Sequence, residues 1–511
     1  MRVGIDFGTT RTVVSVQEGG NYPVCPFSWN GEAKEYIPSL AAAREGRLYF
    51  GWEAADALDE PGVHLLRSMK RLAGRLRPDD VLELGPAVSV TMLDLVTLFL
   101  THVKNMLFKH SSLPSRKKAP LEAIVATPAN ANSNQRYITL EAFRRAGFHV
   151  LGAMNEPSAA AVEFLHRHLR NVAPRSQKRY VAVYDLGGGT FDASVVGIEE
   201  QRHDVLAHDG IARLGGDDFD EIILDLVLEE AGISRNELEQ PALARLLEEC
   251  RERKEGLKAN TKKMVVDLGA SVSGKGPVVL ETASVYHRCI PLIQSSLATL
   301  QRLVERLCEA PEDGRTLAAV YLVGGSVAFP PVSRCLREIY PNKIKMSPFP
   351  HASTAIGLAI AGDPEAQIAV QETVSRHFGT WREKGQDKVF DPIFHKDRQV
   401  DPHTGSLKVS RVYNPVHNIG LLRYMECSSL GEGGEPEGDI SLWKEVFFPY
   451  DPMLKGRKDL RKVPIRACPE LSSQEIVETY EYDERGLVRV EIENRTSGYR
   501  KRFALEPEIG N

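Results

Sequence analysis

Cysteine is scarce and scattered. The 511 residues contain seven, at positions 25, 250, 289, 308, 335, 427 and 468. None lies within four residues of another, which excludes zinc-ribbon and C-x-x-C redox spacings. An odd number spread over so long a chain reads as reduced, mostly buried thiols. There is no run of about 18 apolar residues, and the chain opens directly on the strand-like Met1-Arg2-Val3-Gly4-Ile5. Neither a membrane span nor a signal peptide is expected, and a cytoplasmic protein without a membrane partner is the default. The 14 histidines form no H-x₃-H or H-E-x-x-H pattern. Ser158 and Ser326 lack a G-x-S-x-G elbow. Charge of one sign is missing as well: 64 Lys+Arg against 69 Asp+Glu leave a net −5. That removes the basic footprint of a nucleic-acid binder. One compact basic run, Arg116-Lys117-Lys118, reads as a surface loop.

What is present is ordinary globular material, 42% apolar and 26% charged. At ~150 residues per domain this is enough for roughly three or four domains. Apolar spacing predicts helices over 93–107, 136–146 (stopped by Gly147), from Pro157, over 217–231 (with Gly232 after it), 242–258, 290–307 and from Pro330. Strands are predicted over 121–126 and 318–323. This alternation indicates α/β architecture with partly parallel sheets. Beyond about residue 365 the texture shifts to Pro, Gly and short β-type runs, with 430–439 and 455–462 read as loops. The expected organisation is an α/β domain over 1–365, a linker over 366–380 and a smaller all-β domain over 381–511.

The strongest internal signal is a duplication. Asp6-Phe7-Gly8-Thr9-Thr10 and Asp185-Leu186-Gly187-Gly188-Gly189-Thr190 each end an apolar strand and precede a second one. Glycine lets the backbone approach a phosphate closely, successive N–H groups make an anion nest, and threonine hydroxyls add donors. A carboxylate beside a phosphate makes sense when a divalent cation with its water shell lies between them. Two facing hairpins would therefore clamp one polyphosphate and one Mg²⁺, with Asp6 and Asp185 addressing the metal through water. Neither G-x-G-x-x-G nor G-x-x-x-x-G-K-[ST] occurs at these turns, so Rossmann and Walker-A readings fail. Gly324-Gly325-Ser326 after a strand and Gly215-Gly216 before a helix suit the nucleoside side of the same pocket.

In order along the chain stand GIDFGTT (4–10), VATPANANSNQR (125–136), MNEPSAAAV (154–162), VYDLGGGTFDASVV (183–196), RLGGDDFD (213–220) and YLVGGSVAFPPV (321–332). The set closely resembles the ATPase domain of the seventy-kilodalton heat-shock (DnaK-type) chaperones, in the actin/hexokinase/chaperone superfold. The resemblance covers roughly residues 1–360. It implies a two-lobed, actin-like α/β ATPase domain with ATP in the cleft, followed by the all-β domain. It also implies that Gly8, Thr9, Thr10 and Gly187 to Thr190 hold the phosphates. Thr190 would lie near the γ-phosphate, Asp192 would order attacking water, Lys70 would reach the γ-phosphate and Glu156 would belong to the catalytic cleft. Such parts suit phosphoryl transfer to water, which needs positioning and charge neutralisation.

Departures accompany the match. Ala328 stands where the family has an arginine that stacks on adenine. The adenosine helix, usually carrying Glu, Lys and Ser at i, i+3 and i+7, reads Arg251, Lys254 and Lys258, so Lys254 alone is retained. His351 replaces a late aspartate. Losing a stacked cation weakens binding by up to roughly thirtyfold. Gly152, where an arginine is usual, leaves a J-protein or exchange-factor partner open. YEYDERGLVRVEIEN (480–494) resembles the closing strands of the family's substrate-binding domain, and no helical lid is expected after it. The expected function is an ATP-hydrolysing chaperone acting on unfolded or partner polypeptide. The rivals are a small-molecule kinase of the same superfold and a nucleotide-dependent scaffold or filament protein.

Overall fold

The structure is a computed structural model. It describes residues 1–111, 121–168, 179–198, 203–269, 271–272, 274–308, 316–368, 370–384, 387–401, 404–483 and 485–505. The basic run 116–118 lies outside them. Contacts divide the chain into two compact units, 1–130 with 138–370 and 131–137 with 371–511.

The first unit is a mixed α/β structure built on the two Gly/Thr turns. Arg2–Phe7 and Arg11–Val16 form an antiparallel hairpin with Phe7 opposite Thr12. Arg2–Phe7 also pairs in parallel with Glu122–Thr127, which pairs in parallel with His149–Asn155. A second sheet repeats this order. Arg179–Leu186 and Phe191–Ile198 form the hairpin, with Asp185 opposite Asp192. Arg179–Leu186 pairs in parallel with Thr316–Val323, and that strand with Ile344–Met346.

Helices occupy matching places in the two halves. Met92–Lys109 and Thr282–Cys308 precede the first parallel strand, and Glu156–His168 and Ser353–Ala361 follow the last. The duplication visible as two short motifs is thus a duplication of whole sheets with their helices. The sequence explains the helices locally. Thr91 caps Met92–Lys109 by accepting from the Asp94 N–H, and the buried positions 92, 95, 96, 99, 103 and 106 keep a helical stripe. Glu156–His168 and Ser353–Ala361 are made of small residues where they meet. A Cβ on Gly357 would come within 1.8 Å of the Ala159 carbonyl oxygen.

Several boundaries differ from the sequence reading. The charged helix is Gln240–Glu255, ending at Gly256 rather than at 258. The long helix starts at Thr282, with Pro291 inside it rather than in its first turn. Short antiparallel pieces, Ala41–Arg44 with Arg47–Phe50 and His64–Leu66, carry too few residues to show a period. No helix among the described residues is long and apolar enough to cross a membrane. The described cysteines are all free thiols, with Cys25, Cys250, Cys289, Cys427 and Cys468 buried.

In the second unit, one antiparallel sheet runs Asp387–Phe394, His377–Lys384, Ile419–Leu430, Pro436–Pro449. Another runs Leu407–Tyr413, Ile476–Tyr482, Val488–Asn494, Tyr499–Ala504. The stretch 436–439, read as loop, is the start of a 14-residue strand. Phe378, Phe394, Tyr424, Phe448, Ile476, Tyr480 and Ile492 form the apolar core. Inside it sits a carboxylate. Glu478 is 0% exposed and accepts from Tyr413 Oη at 2.5 Å, Tyr480 Oη at 2.6 Å and Arg382 Nη2 at 2.5 Å. The guanidinium and the two phenols supply the partners that a buried charge requires.

Candidate functional site

The two Gly/Thr turns touch. Each is closed the same way, Gly8 N–H to the Arg11 carbonyl and Gly187 N–H to the Thr190 carbonyl, both at 3.1 Å. A Cβ on Gly188 would lie 2.3 Å from Thr10 Cγ2, and one on Gly189 would lie 2.5 Å from Thr9 Cγ2. Glycine is therefore required at 188 and 189 by the opposing turn itself. The second turn rests on the start of the helix Gly216–Ala231. Gly216 N–H donates to the Gly187 carbonyl at 3.0 Å and Asp217 N–H to that of Gly188 at 2.7 Å. Ser326 Oγ donates to the Gly187 carbonyl at 2.8 Å. Gly324 adopts φ +85°, packed on the Leu186 carbonyl, which a side chain would not allow.

These elements surround one cavity. Of the residues singled out in the sequence, Asp6, Gly8, Thr9, Thr10, Glu156, Asp185, Gly187, Gly188, Thr190, Gly216, Lys254, Gly324, Gly325 and Ser326 line it. Gly189, Gly215, Lys70 and Asp192 stand behind that wall. Gly189 gives its carbonyl to Arg71, at 3.0 Å from Nε. Gly215 packs on Gly188. Lys70 is buried and donates to Glu156 Oε1, with its Nζ 3.9 Å from Asp6 Oδ1. Asp192 is buried and accepts from the Ala129 N–H at 3.1 Å.

At the end of the cavity expected to take the nucleoside, Lys254 Nζ donates to the Gly216 carbonyl at 2.7 Å and pairs with Asp220 Oδ1 at 2.6 Å. Arg251 and Ala328 also line the cavity, as does His351. Lys258 does not: it falls beyond the helix end at Glu255 and lines a separate groove with Arg334 and Arg337. The i+7 position of the expected adenosine helix is therefore not on that helix. The sequence reading also passed over Arg11, Asp217, Asp220, Glu255 and Phe329, all of which line the cavity. Arg11 and Glu255 each directly follow a residue that was picked out, Thr10 and Lys254, and adjacency to the motif was the available signal.

The electrostatics favour a cation. Burial pushes the Asp6 carboxyl up to about 7, against the pull of Lys70 and with the help of Glu156. Burial and then Glu156 push Asp192 up to about 7. Asp185 is raised well above the ordinary carboxylate value by burial, with Glu156, Asp192 and Asp6 adding to it. Burial pulls Lys70 down, but Glu156 and Asp6 outweigh it and hold the ammonium above its usual value. One ammonium among four carboxyl groups leaves negative charge uncompensated. Asp6 Oδ1 is buried without a hydrogen-bond partner among the described residues. This orphaned oxygen and the oxygen-only donor set fit Mg²⁺, which Asp6 and Asp185 would hold through its water shell. No group of three or more His, Cys, Asp or Glu among the described residues is arranged to hold a metal directly.

Comparison with known proteins follows the same lines. A family model described as Hsp70 protein matches residues 98–373, more than half of the chain. The chain is similar to a chaperone protein HscA homolog of Pseudomonas putida, 28% identical over 528 residues, covering 100% of this chain and 78% of the relative. It is also similar to a chaperone protein DnaK of Mycoplasmoides gallisepticum, 30% identical over 366 residues, 70% of this chain and 59% of the relative. A chaperone protein DnaK of Mycoplasmopsis pulmonis is 31% identical over 365 residues, 70% of this chain and 58% of the relative.

Proposed function

Because the chain belongs to the Hsp70 family, we propose that its cleft binds ATP with Mg²⁺ and hydrolyses it through Lys70, Glu156, Thr190 and Asp192. The protein is an ATP-dependent chaperone of that family, and nucleotide binding follows from membership. One observation supports these residue roles: the two Gly/Thr turns meet face to face, with Asp6 and Asp185 on the same cavity.

In this reading Thr9 and Thr10 on one turn and Gly187 to Thr190 on the other hold the phosphates from opposite sides. Gly215, Gly216, Lys254 and Gly324 to Ser326 take the nucleoside end. Asp6 and Asp185 would hold Mg²⁺ through its water shell, and the ion would supply charge neutralisation there. Lys70, buried and steered by Glu156, reaches the terminal phosphate. Asp192 orders the attacking water. Its carboxyl, at about 7, is suited to take the proton as the water oxygen bonds to phosphorus and the bond to the bridging oxygen breaks.

The strand-built residues 381–511 are proposed as the part that meets unfolded or partner polypeptide, under control of the nucleotide state; of the expected linker 366–380, the end is already taken up by the strand His377–Lys384. A J-protein or exchange factor as helper belongs to the same proposal. Single-turnover ATP hydrolysis of wild type and Lys70→Ala, with and without an unfolded polypeptide, tests the reading. Expected are a mutant that binds ATP and hardly hydrolyses it, and a wild type whose turnover responds to polypeptide. Equal rates would remove Lys70 from the mechanism. A phosphorylated small-molecule product would point to the kinase rival.

A further inference from the structure

Among the cations in or behind the cleft, Lys70, Lys254, Arg251 and Arg11 differ in their partners. Lys70, assigned above to the terminal phosphate, already donates to Glu156. Lys254 is committed to the Gly216 carbonyl and to Asp220. Arg251 is divided between Glu248 at 3.4 Å and Glu255 at 3.2 Å. Arg11 is different. Its Nη2 donates to Glu255 Oε2, and its guanidinium lies over the Tyr36 ring, 4.6 Å from the centroid. Its Nε is buried away from the cavity, and the hydrogen bond of the guanidinium leaves Nη1, on the side of Gly325, to offer a ligand. A guanidinium held by a carboxylate at one nitrogen and a ring on its face is already oriented.

Arg11 follows Thr10 in the first phosphate turn, and its Nη1 lies 3.7 Å from where a Cβ on Gly325 would be. It therefore spans from the turn assigned to the terminal phosphates to the loop assigned to the nucleoside. The anion of a bound nucleotide that lies along this stretch is the phosphate attached to the ribose.

We propose that Arg11 is a nucleotide-binding residue that grips the ribose-proximal phosphate, with Glu255 as the positioning residue that holds the guanidinium across the cleft. Arg11 comes from the first hairpin and Glu255 from the helix Gln240–Glu255, so the pair also ties the two walls together over the ligand. Guanidinium–phosphate bonds are charge-assisted and two-pronged, which suits a chain that has Ala328 where a stacking cation would otherwise hold the base. The inference rests on the reading of the cleft as a nucleotide site.

The test is direct binding of ADP and of adenosine, with Mg²⁺ present, to wild type, Arg11→Ala, Arg11→Lys, Glu255→Gln and the Arg11→Ala/Glu255→Gln pair. Arg11→Ala should weaken ADP about tenfold or more and leave adenosine within about twofold. Arg11→Lys should fall between wild type and Arg11→Ala, since it keeps the charge and loses the fork. Glu255→Gln should weaken ADP by a smaller factor, and the double variant should be no worse than Arg11→Ala alone. Unchanged ADP affinity in Arg11→Ala and Arg11→Lys would overturn the proposal, and so would equal losses for ADP and adenosine. A wild type that binds no ADP would instead sink the reading of the cleft.

Discussion

At the scale of single residues, the cleft depends on atoms that are absent as much as on those present. Gly188 exists as glycine because Thr10 occupies the space of a side chain. Gly188→Ala should push Thr10 aside and lower ATP affinity by about tenfold, with a small change in melting temperature. A titration calorimeter and a thermal melt separate the two effects. The carboxyl groups make a second prediction. Asp6 and Asp192, raised to about 7, are protonated in the folded chain at pH values where an unfolded chain has lost those protons. Their contribution to stability is complete below about pH 4 and is lost as pH rises through about 7. Unliganded protein should therefore melt at a lower temperature at pH 8 than at pH 6 through these groups. Mg²⁺ with ADP should reduce that decline. By the same sign, Mg²⁺-dependent ADP affinity should rise from pH 6 to pH 8, read by titrating ADP at fixed Mg²⁺.

At the scale of elements, legibility followed the strength of local punctuation. The Gly/Thr hairpins could be read because strand, turn and strand are each marked by residue type within a few positions. Met92–Lys109 could be read because its apolar stripe runs through five turns. The helix Gln240–Glu255 was overrun by three residues because charged residues continue past Gly256 without changing character. Thr282–Cys308 begins before the expected 290–307, and neighbouring packing keeps the helix intact around Pro291. Arg11 and Glu255 are marked in the sequence only as neighbours of Thr10 and Lys254, and the ion pair itself, between residues 244 positions apart, leaves no local trace. The tight crossing of Glu156–His168 over Ser353–Ala361 was equally silent until Gly357 was seen against Ala159. Gly357→Ala should cost about 1–3 kcal/mol by overpacking, measured by denaturant unfolding of the nucleotide-free protein.

At the scale of the whole molecule, two sheets of matching order each bring a Gly/Thr turn to one cavity, and the chain adds a strand-built unit to them. The proposed phosphate-facing residues are in place, while the proposed nucleoside end has Ala328 and Arg251 where the resemblance implies an arginine and a glutamate. ADP affinity should accordingly be micromolar or weaker, and equilibrium binding checks this directly. Nanomolar binding would contradict the inference drawn from those two positions.

Glu478 makes the second unit intolerant of strand slippage. Shifting Ile476–Tyr482 by one place would swing the carboxylate to the opposite side of its sheet, away from Tyr413, and leave Arg382 with Asp391 as its remaining carboxylate partner. An all-apolar sandwich can settle into neighbouring alignments of nearly equal energy; this one admits a single frame, so partly assembled or misaligned forms are penalised by the loss of the Arg382–Glu478 pair before they can persist.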